Sequence, residues 1–396
     1  MKLLARGSTI LIAAKNRSSK PYARDASFAA ISIAVIGACL ALEIPLKAHA
    51  DVVDELIAAQ MKEHHIVGLS LAIIQDGRIA KAKGYGFTNS SEKTPVTSST
   101  LFQAGSISKS VAAMAALHLV ELGKMSLDAD VNTELETWKI PENEFTKDQK
   151  VTLRRMLSHS AGLTVHGFPG YDSGSAMPTL IQVLDGSPPA NTPAIRVESV
   201  PGSTWSYSGG GYTVMQELIV EVTHEPFPKF MRETVLGPLG MVSSSYEQPL
   251  PERLARQTAT GYSPSGKVLG QWHIYPEMAA AGLWTTASDL ARFAIAIQRS
   301  LAGTSNPVIS QATARLMLTA QKNDDGLGVF LRGSDRTLRF FHDGRDEGFD
   351  AKMTAQAETG QGAVIMINAN DDSGAVRAIL EGITRHYHWP DSSPAK

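Results

Sequence analysis

Ser106-Ile107-Ser108-Lys109 runs without a break into Ser110-Val111-Ala112-Ala113-Met114-Ala115-Ala116-Leu117. The spacing predicts a helix opened by Ser106. Residues i and i+3 share a helix face, so Lys109 stands beside the Ser106 hydroxyl. A serine hydroxyl is a poor nucleophile at neutral pH and needs a base within hydrogen-bond reach. A lysine serves as that base when burial or nearby positive charge lowers its pKa. The run after Lys109 is apolar nearly all round, the mark of a helix buried in a core. Gly123 is a fitting stop. A second Ser-x-x-Lys, Ser90-Ser91-Glu92-Lys93, lies in a polar stretch before Pro95 and reads as a loop. The pattern therefore arises by chance, and context must decide which copy matters.

The mature part of the chain supplies that context. Asp51 to His64 carries Val53, Leu56, Ile57 and Met61 at helical spacing. Gly68 to Gln75 and Arg78 to Gly86 read as strands joined by an Asp76-Gly77 turn. Val151 to Leu163 reads as a helix ending in a Ser-Ala-Gly turn. Gly167 to Pro201 is a long Pro-, Gly- and Ser-rich loop with a helical piece near Leu180, of a length that tends to be functional. Gly211 to Val222 and Phe227 to Val235 read as helices, and Thr286 caps another that runs to about Ser300. Strands return at Leu338 to Phe341, Ala351 to Ala355 and Gly362 to Asn368, followed by an amphipathic helix from Ala375 to Tyr387. Strands at both ends with helices between predict an α+β fold. One antiparallel sheet is built from both termini, flanked by helices, with an inserted, mainly helical region. Its cleft is the expected place for a site.

Composition narrows the function. The 396 residues carry a formal net charge of −2. The first 50 hold seven Lys/Arg against two Asp/Glu, leaving 30 against 37 and a net charge of −7 for the rest. Such a chain has no electrostatic reason to hold nucleic acid. The basic start, the apolar run Phe28 to Leu42 and Ala48-His49-Ala50 read together as an export signal, residues 1–50. An uncleaved anchor or a misassigned start are the other readings. Residues 51–390 then form the catalytic domain and 391–396 a tail. The expected place is periplasmic or secreted. Cys39 is the only cysteine, so no intrachain disulfide forms. Ile36-Gly37-Ala38-Cys39 resembles a lipobox, which would tie the protein to a membrane; the plainer reading is an apolar residue inside the signal.

Two further motifs fit a serine hydrolase. Tyr207-Ser208-Gly209 sits in a glycine-dense turn that leads into a helix, where Tyr207 can share a proton with Lys109. His342-Asp343-Gly344 follows the strand-like Phe340-Phe341, and Gly344 lets backbone approach a substrate. With these motifs the chain resembles the serine β-lactamase and penicillin-binding-protein superfamily, in particular its class C β-lactamase-like hydrolases and esterases. Ser106-x-x-Lys109 matches the first motif, Tyr207-Ser208-Gly209 the Tyr-x-Asn position and His342-Asp343-Gly344 the Lys-Thr-Gly or His-x-Gly position. Leu157-Ser158-His159-Ser160-Ala161-Gly162-Leu163, Pro238-Leu239-Gly240-Met241, Gly282-Leu283-Trp284-Thr285-Thr286-Ala287 and Asp289-Leu290-Ala291-Arg292-Phe293 extend the likeness from about Val53 to Asn370.

The resemblance implies that Ser106 forms an acyl-enzyme while Lys109 and Tyr207 take up and return its proton. His342 completes the catalytic set, and Gly209 and Gly344 meet the substrate. The Ser106 and Arg345 backbone N–H groups hold the oxyanion; donors of this kind are worth about 3–4 kcal/mol of barrier. No metal or organic cofactor is implied. The expected substrate is a small ester, amide or peptide. A D,D-carboxypeptidase or β-lactamase proper is the alternative among enzymes. A catalytically silent binding protein for cell-wall fragments is the alternative outside them. Two departures bear on this choice. Gly209 stands for the family's asparagine, and His342, only partly charged near pH 7 at its usual pKa, stands for its lysine, with Arg345 as the compensating cation. Asp343 is atypical. His159 is expected to tie down its own turn. His64-His65 and His386-x-His388 lack a zinc spacing and nearby acidic or cysteine partners. Gly261 to Lys267 nearly spells a phosphate loop, but Val268 stands where Ser or Thr is required.

Overall fold

Alternating apolar strands and one all-apolar helix dictate a layered molecule. The computed structural model describes residues 51–262, 271–304 and 306–390. The leader with Cys39, the tail and residues 263–267 of the phosphate-loop-like stretch lie outside the described residues. In chain order the main elements are α1 (Val52–Glu63), β1 (Gly68–Gln75), β2 (Arg78–Gly86), α2 (Ile107–Glu121), α3 (Gly209–Thr223) and α4 (Ala287–Leu301). Then come β3 (Phe330–Arg332), β4 (Arg339–Asp346), β5 (Phe349–Gln356), β6 (Gly362–Ile367) and α5 (Ala375–His386).

The six strands form one sheet in the order β2-β1-β6-β5-β4-β3, with antiparallel pairing throughout. The first two strands of the chain thus join the last four, as the sequence predicts. In β1 the side chains alternate between faces. Leu69, Leu71 and Ile73 pack with Ile365 and Ile367 of β6 under α1 and α5. Ala72 and Ile74 face the other way, with Val364 and Met366, into the core that contains α2, α3 and α4. The central strands are therefore apolar on both faces.

α2 runs through the middle of this core. Every residue from Ile107 to Leu117 is buried, Lys109 included. Three hydroxyls pin it from different sides: Ser108 donates to the Gly105 carbonyl, Ser110 to the Gly328 carbonyl, and Tyr246 to the Ser108 carbonyl. The Ser90 to Lys93 copy lies in an exposed turn, as expected of a loop.

Two elements differ from their sequence readings. The helix predicted over 151–163 spans only Leu153–Leu157. It stops because the Ser158 hydroxyl bonds the Arg154 carbonyl and His159 takes a left-handed φ of 51°. β4 continues through His342-Asp343-Gly344 to Asp346 rather than ending before them. Outward-facing ion pairs with β5 replace the missing apolar signal: Asp343 with Lys352 and Arg345 with Asp350.

The α1/α5 layer offers a direct stability test. Ile379 of α5 is fully buried against β1 and β6. Ile379→Ala should cost about 2–5 kcal/mol in denaturant unfolding monitored by circular dichroism.

Candidate active site

The site forms where a turn, a loop and a strand converge on the first turn of α2. Gly105, at φ 51°, lets the chain turn sharply into the helix. A Cβ there would lie 2.4 Å from the Arg345 nitrogen, and one on Gly344 would lie 1.9 Å from the Ala104 oxygen. Only glycines at both positions permit β4 to lie directly against the Ser106 turn. The Ser106 and Arg345 backbone nitrogens are thereby brought to the same edge of the cleft. Asp346 and Phe349 flank the two-residue turn of the β4–β5 hairpin, and bonded and non-bonded pairs alternate from there. The next pair, Arg345 with Asp350, therefore leaves the Arg345 N–H turned away from β5.

Ser106 does not use its hydroxyl to cap the helix. Instead the Lys109 Nζ donates to the Ser106 Oγ at 2.9 Å and to the Ala280 carbonyl at 2.7 Å. Lys109 is only 2% exposed. Its Nζ stands 5.2 Å from the centre of the Tyr207 ring and 5.8 Å from that of Tyr212.

Tyr207 is held by His159. The His159 carbonyl accepts the Ser206 N–H at 2.8 Å, and its Nδ1 accepts the Ser208 N–H at 3.1 Å. The two rings lie 4.2 Å apart, centre to centre. Since a backbone N–H can only donate, Nδ1 carries no hydrogen and the ring is neutral. Burial, then the charge of Lys109, keeps its pKa well below the usual histidine value. His159 does more than tie down its own turn. It orients the segment that carries Tyr207, a role that the Leu-Ser-His-Ser-Ala-Gly-Leu motif signals by context only.

His342 lines the cleft but is 3% exposed. Its Nδ1 donates to the Asp343 carbonyl at 2.6 Å. Burial, followed by the Lys109 charge, pushes its pKa down to about 3. The partial charge expected at pH 7 is therefore corrected to none. Arg345 is no substitute cation. Its guanidinium already engages Asp350 and Asp372 and faces outward. Asp343, atypical in sequence, is the cross-strand partner of Lys352.

Ser106, Tyr207, Phe330, His342 and Gly344 line a cleft of about 400 Å³, which Arg345 and Lys352 continue. Gly209 is not brought into it. That glycine is buried in the first turn of α3, and a Cβ there would lie 2.8 Å from the Phe168 ring. An aromatic ring thus fills the space next to the missing asparagine. Phe330, whose ring lies 4.9 Å from His342, escapes sequence reasoning because it belongs to no motif. Period-2 alternation along β5, by contrast, could have placed Lys352 beside Asp343.

The arrangement presents a nucleophile, an amine in contact with it, a phenol near the amine and two backbone donors. That is the equipment of acyl transfer. Among known families, the one described as "Beta-lactamase" matches residues 53–384. A curated relative, "Protein flp" of Staphylococcus aureus (strain N315), is 22% identical over 330 residues, covering 81% of this chain and 63% of its own. The chain thus spans less than two thirds of that relative. The octameric penicillin-binding protein homologue from Pyrococcus abyssi superposes with a TM-score of 0.71 at 23% identity, over 85% of this chain and 77% of its own. The β-lactamase/D-alanine carboxypeptidase from Pseudomonas syringae gives 0.67 at 20%, over 85% and 99%. At these identities the two structures share the fold.

The neutral state of His342 has a measurable consequence. The unfolded chain binds a proton near pH 6.5 that the folded site refuses until about pH 3. Stability therefore falls as pH falls through this window. His342→Gln should reduce the loss of unfolding free energy between pH 6.5 and 5 by about 1.5 kcal/mol, measured by urea denaturation at both pH values.

Proposed function

We propose that this chain, which belongs to the β-lactamase family, is a serine hydrolase that works through an acyl-enzyme on Ser106. The carrying observation is the 2.9 Å contact between the Ser106 hydroxyl and a lysine amine that is itself buried. The Ser106 Oγ attacks a carbonyl carbon while its proton passes to the Lys109 amine. The carbonyl oxygen becomes an oxyanion held by the Ser106 and Arg345 N–H groups. The tetrahedral adduct then expels its leaving group, which takes the proton back by way of Lys109 and the Tyr207 hydroxyl. Water attacks the acyl-enzyme with the same groups acting in reverse. Removing one oxyanion donor in such a site costs about 3–4 kcal/mol of barrier.

The substrate is an ester or a small amide without a strong need for carboxylate recognition. Three observations support this choice. His342 is neutral, Arg345 is already paired, and Phe168 packs where the asparagine side chain would begin. A D,D-carboxypeptidase or β-lactamase activity is the second reading. The name of the Pseudomonas syringae relative favours it, whereas Lys352 in the cleft lining is already paired with Asp343. The basic-then-apolar leader and Ala48-His49-Ala50 support an exported, periplasmic or secreted protein.

Treatment with a fluorophosphonate probe should add one phosphonyl group to the wild-type protein in intact-mass spectrometry, and none to Ser106→Ala. Lys109→Ala should retain its fold by circular dichroism and lose labelling by a factor of about 100 or more, the scale of a general base. An unlabelled wild type refutes the hydrolase, and undiminished labelling of Lys109→Ala refutes the base.

A further inference from the structure

Residues 321–331 touch both halves of the site. On one side, the Gly328 N–H donates to the Leu157 carbonyl at 3.0 Å, and the Gly328 carbonyl accepts the Ser110 hydroxyl of α2 at 2.6 Å. A Cβ on Gly328 would lie 2.3 Å from the Ala113 Cβ. The segment thus rests directly on the helix that carries Lys109. On the other side, the Lys322 Nζ donates to the Gly202 carbonyl at 3.1 Å and to the Ser203 carbonyl at 2.9 Å. The Trp205 indole N–H donates to the Asp325 carboxyl. Gly202, Ser203 and Trp205 belong to the loop that delivers Tyr207 to the cleft.

Packing does not account for these bonds. Asp325 is 5% exposed, and a carboxyl in such a place costs free energy that a well-packed apolar side chain would not. Trp205 is 38% exposed, so burial alone does not hold its ring. What the bonds do is fix positions. Trp205 meets the His159 ring edge-on at 6.3 Å, and His159 lies 4.2 Å from the Tyr207 ring. The segment also folds back on itself. Asp325 pairs with Phe330 in an antiparallel bridge, and the Leu331 N–H donates to the Asp324 carbonyl at 2.7 Å. Phe330, in the cleft lining, stacks on His159 at 6.2 Å and on Tyr207 at 6.4 Å. Tyr207 therefore stands among groups that this one segment sets.

We propose that Lys322 and Asp325 are positioning residues: through Gly202, Ser203 and Trp205 they brace the Tyr207 loop against α2, and so set the phenol relative to Lys109 and the departing group. This rests on the hydrolase reading above. Neither side chain lines the cleft, and no covalent bond to either forms or breaks in the cycle. The leaving group receives its proton from Lys109 through the Tyr207 hydroxyl, a transfer that needs heavy atoms within hydrogen-bond reach. A displacement of about 1 Å in such a relay can cost about 100-fold in rate. The loss falls hardest on a leaving group that cannot depart as a free anion.

The test compares two esters of one acyl group on the full chain. The phenolate of p-nitrophenyl butyrate departs without a proton; the alkoxide of ethyl butyrate does not. Values of kcat/KM isolate the steps up to acylation. Lys322→Met and Trp205→Phe each remove a bond of the brace. Both should lose about tenfold or more on ethyl butyrate and less than about threefold on p-nitrophenyl butyrate. Lys322→Arg and Asp325→Asn keep a donor and an acceptor, and should stay within about threefold of wild type on both esters. In a Tyr207→Phe background, Lys322→Met should cost nothing further, because the phenol it positions is gone. Equal losses on the two esters, losses that add to that of Tyr207→Phe, no loss at all, or failure of both brace variants to fold by circular dichroism overturns the brace. So does an undiminished Tyr207→Phe. A wild type that cleaves only the nitrophenyl ester delivers no proton to the leaving group and overturns it as well. If wild type cleaves neither ester, the hydrolase reading itself fails.

Discussion

A lysine sealed inside the protein, in contact with a serine at the mouth of a cleft, is the constraint that organises the molecule. Burying an amine is costly unless its hydrogens find acceptors. Lys109 finds two, the Ser106 hydroxyl and the Ala280 carbonyl. It gets there because α2 is apolar on every side and has only one place to go, the centre of the core. The sheet, α3 and α4 then close around that helix. The same burial that stabilises the fold removes water from the amine, so the hydrophobic effect and the chemistry act on one element.

The second requirement is close approach of backbone. Two glycines, one in the turn before Ser106 and one in β4, allow strand and turn to touch. The strand pays for these gaps with ion pairs on its outer face, Asp343 with Lys352 and Arg345 with Asp350. Its inner face keeps His342, Gly344 and Asp346. One strand therefore carries structural charges on one side and the site on the other, which follows from period-2 alternation.

The parts of this arrangement that were legible in sequence are those with strong local signals. The β1–β2 hairpin, α2 and α5 were readable almost to the residue, because alternation, an unbroken apolar run and amphipathic spacing leave few choices. The grouping of Ser106, Lys109, Tyr207 and His342 followed from three motifs in family order. What stayed hidden depends on distant partners. The end of the Leu153–Leu157 helix is set by a side-chain bond and one left-handed residue. The length of β4 is set by charges on a neighbouring strand. The occupation of the Gly209 neighbourhood by Phe168 joins residues with no shared pattern, and the pairing of Arg345 with Asp372 spans a stretch that no local rule connects.

These points make the catalytic reading a claim about one covalent bond. The most direct measurement is acid quenching during steady turnover of an activated ester such as p-nitrophenyl acetate, followed by peptide mapping. An acetyl group on the peptide that contains Ser106, at a level near one per protein, is the expected result. Turnover with no acyl group trapped, or with the acyl group on any other residue, would contradict the account.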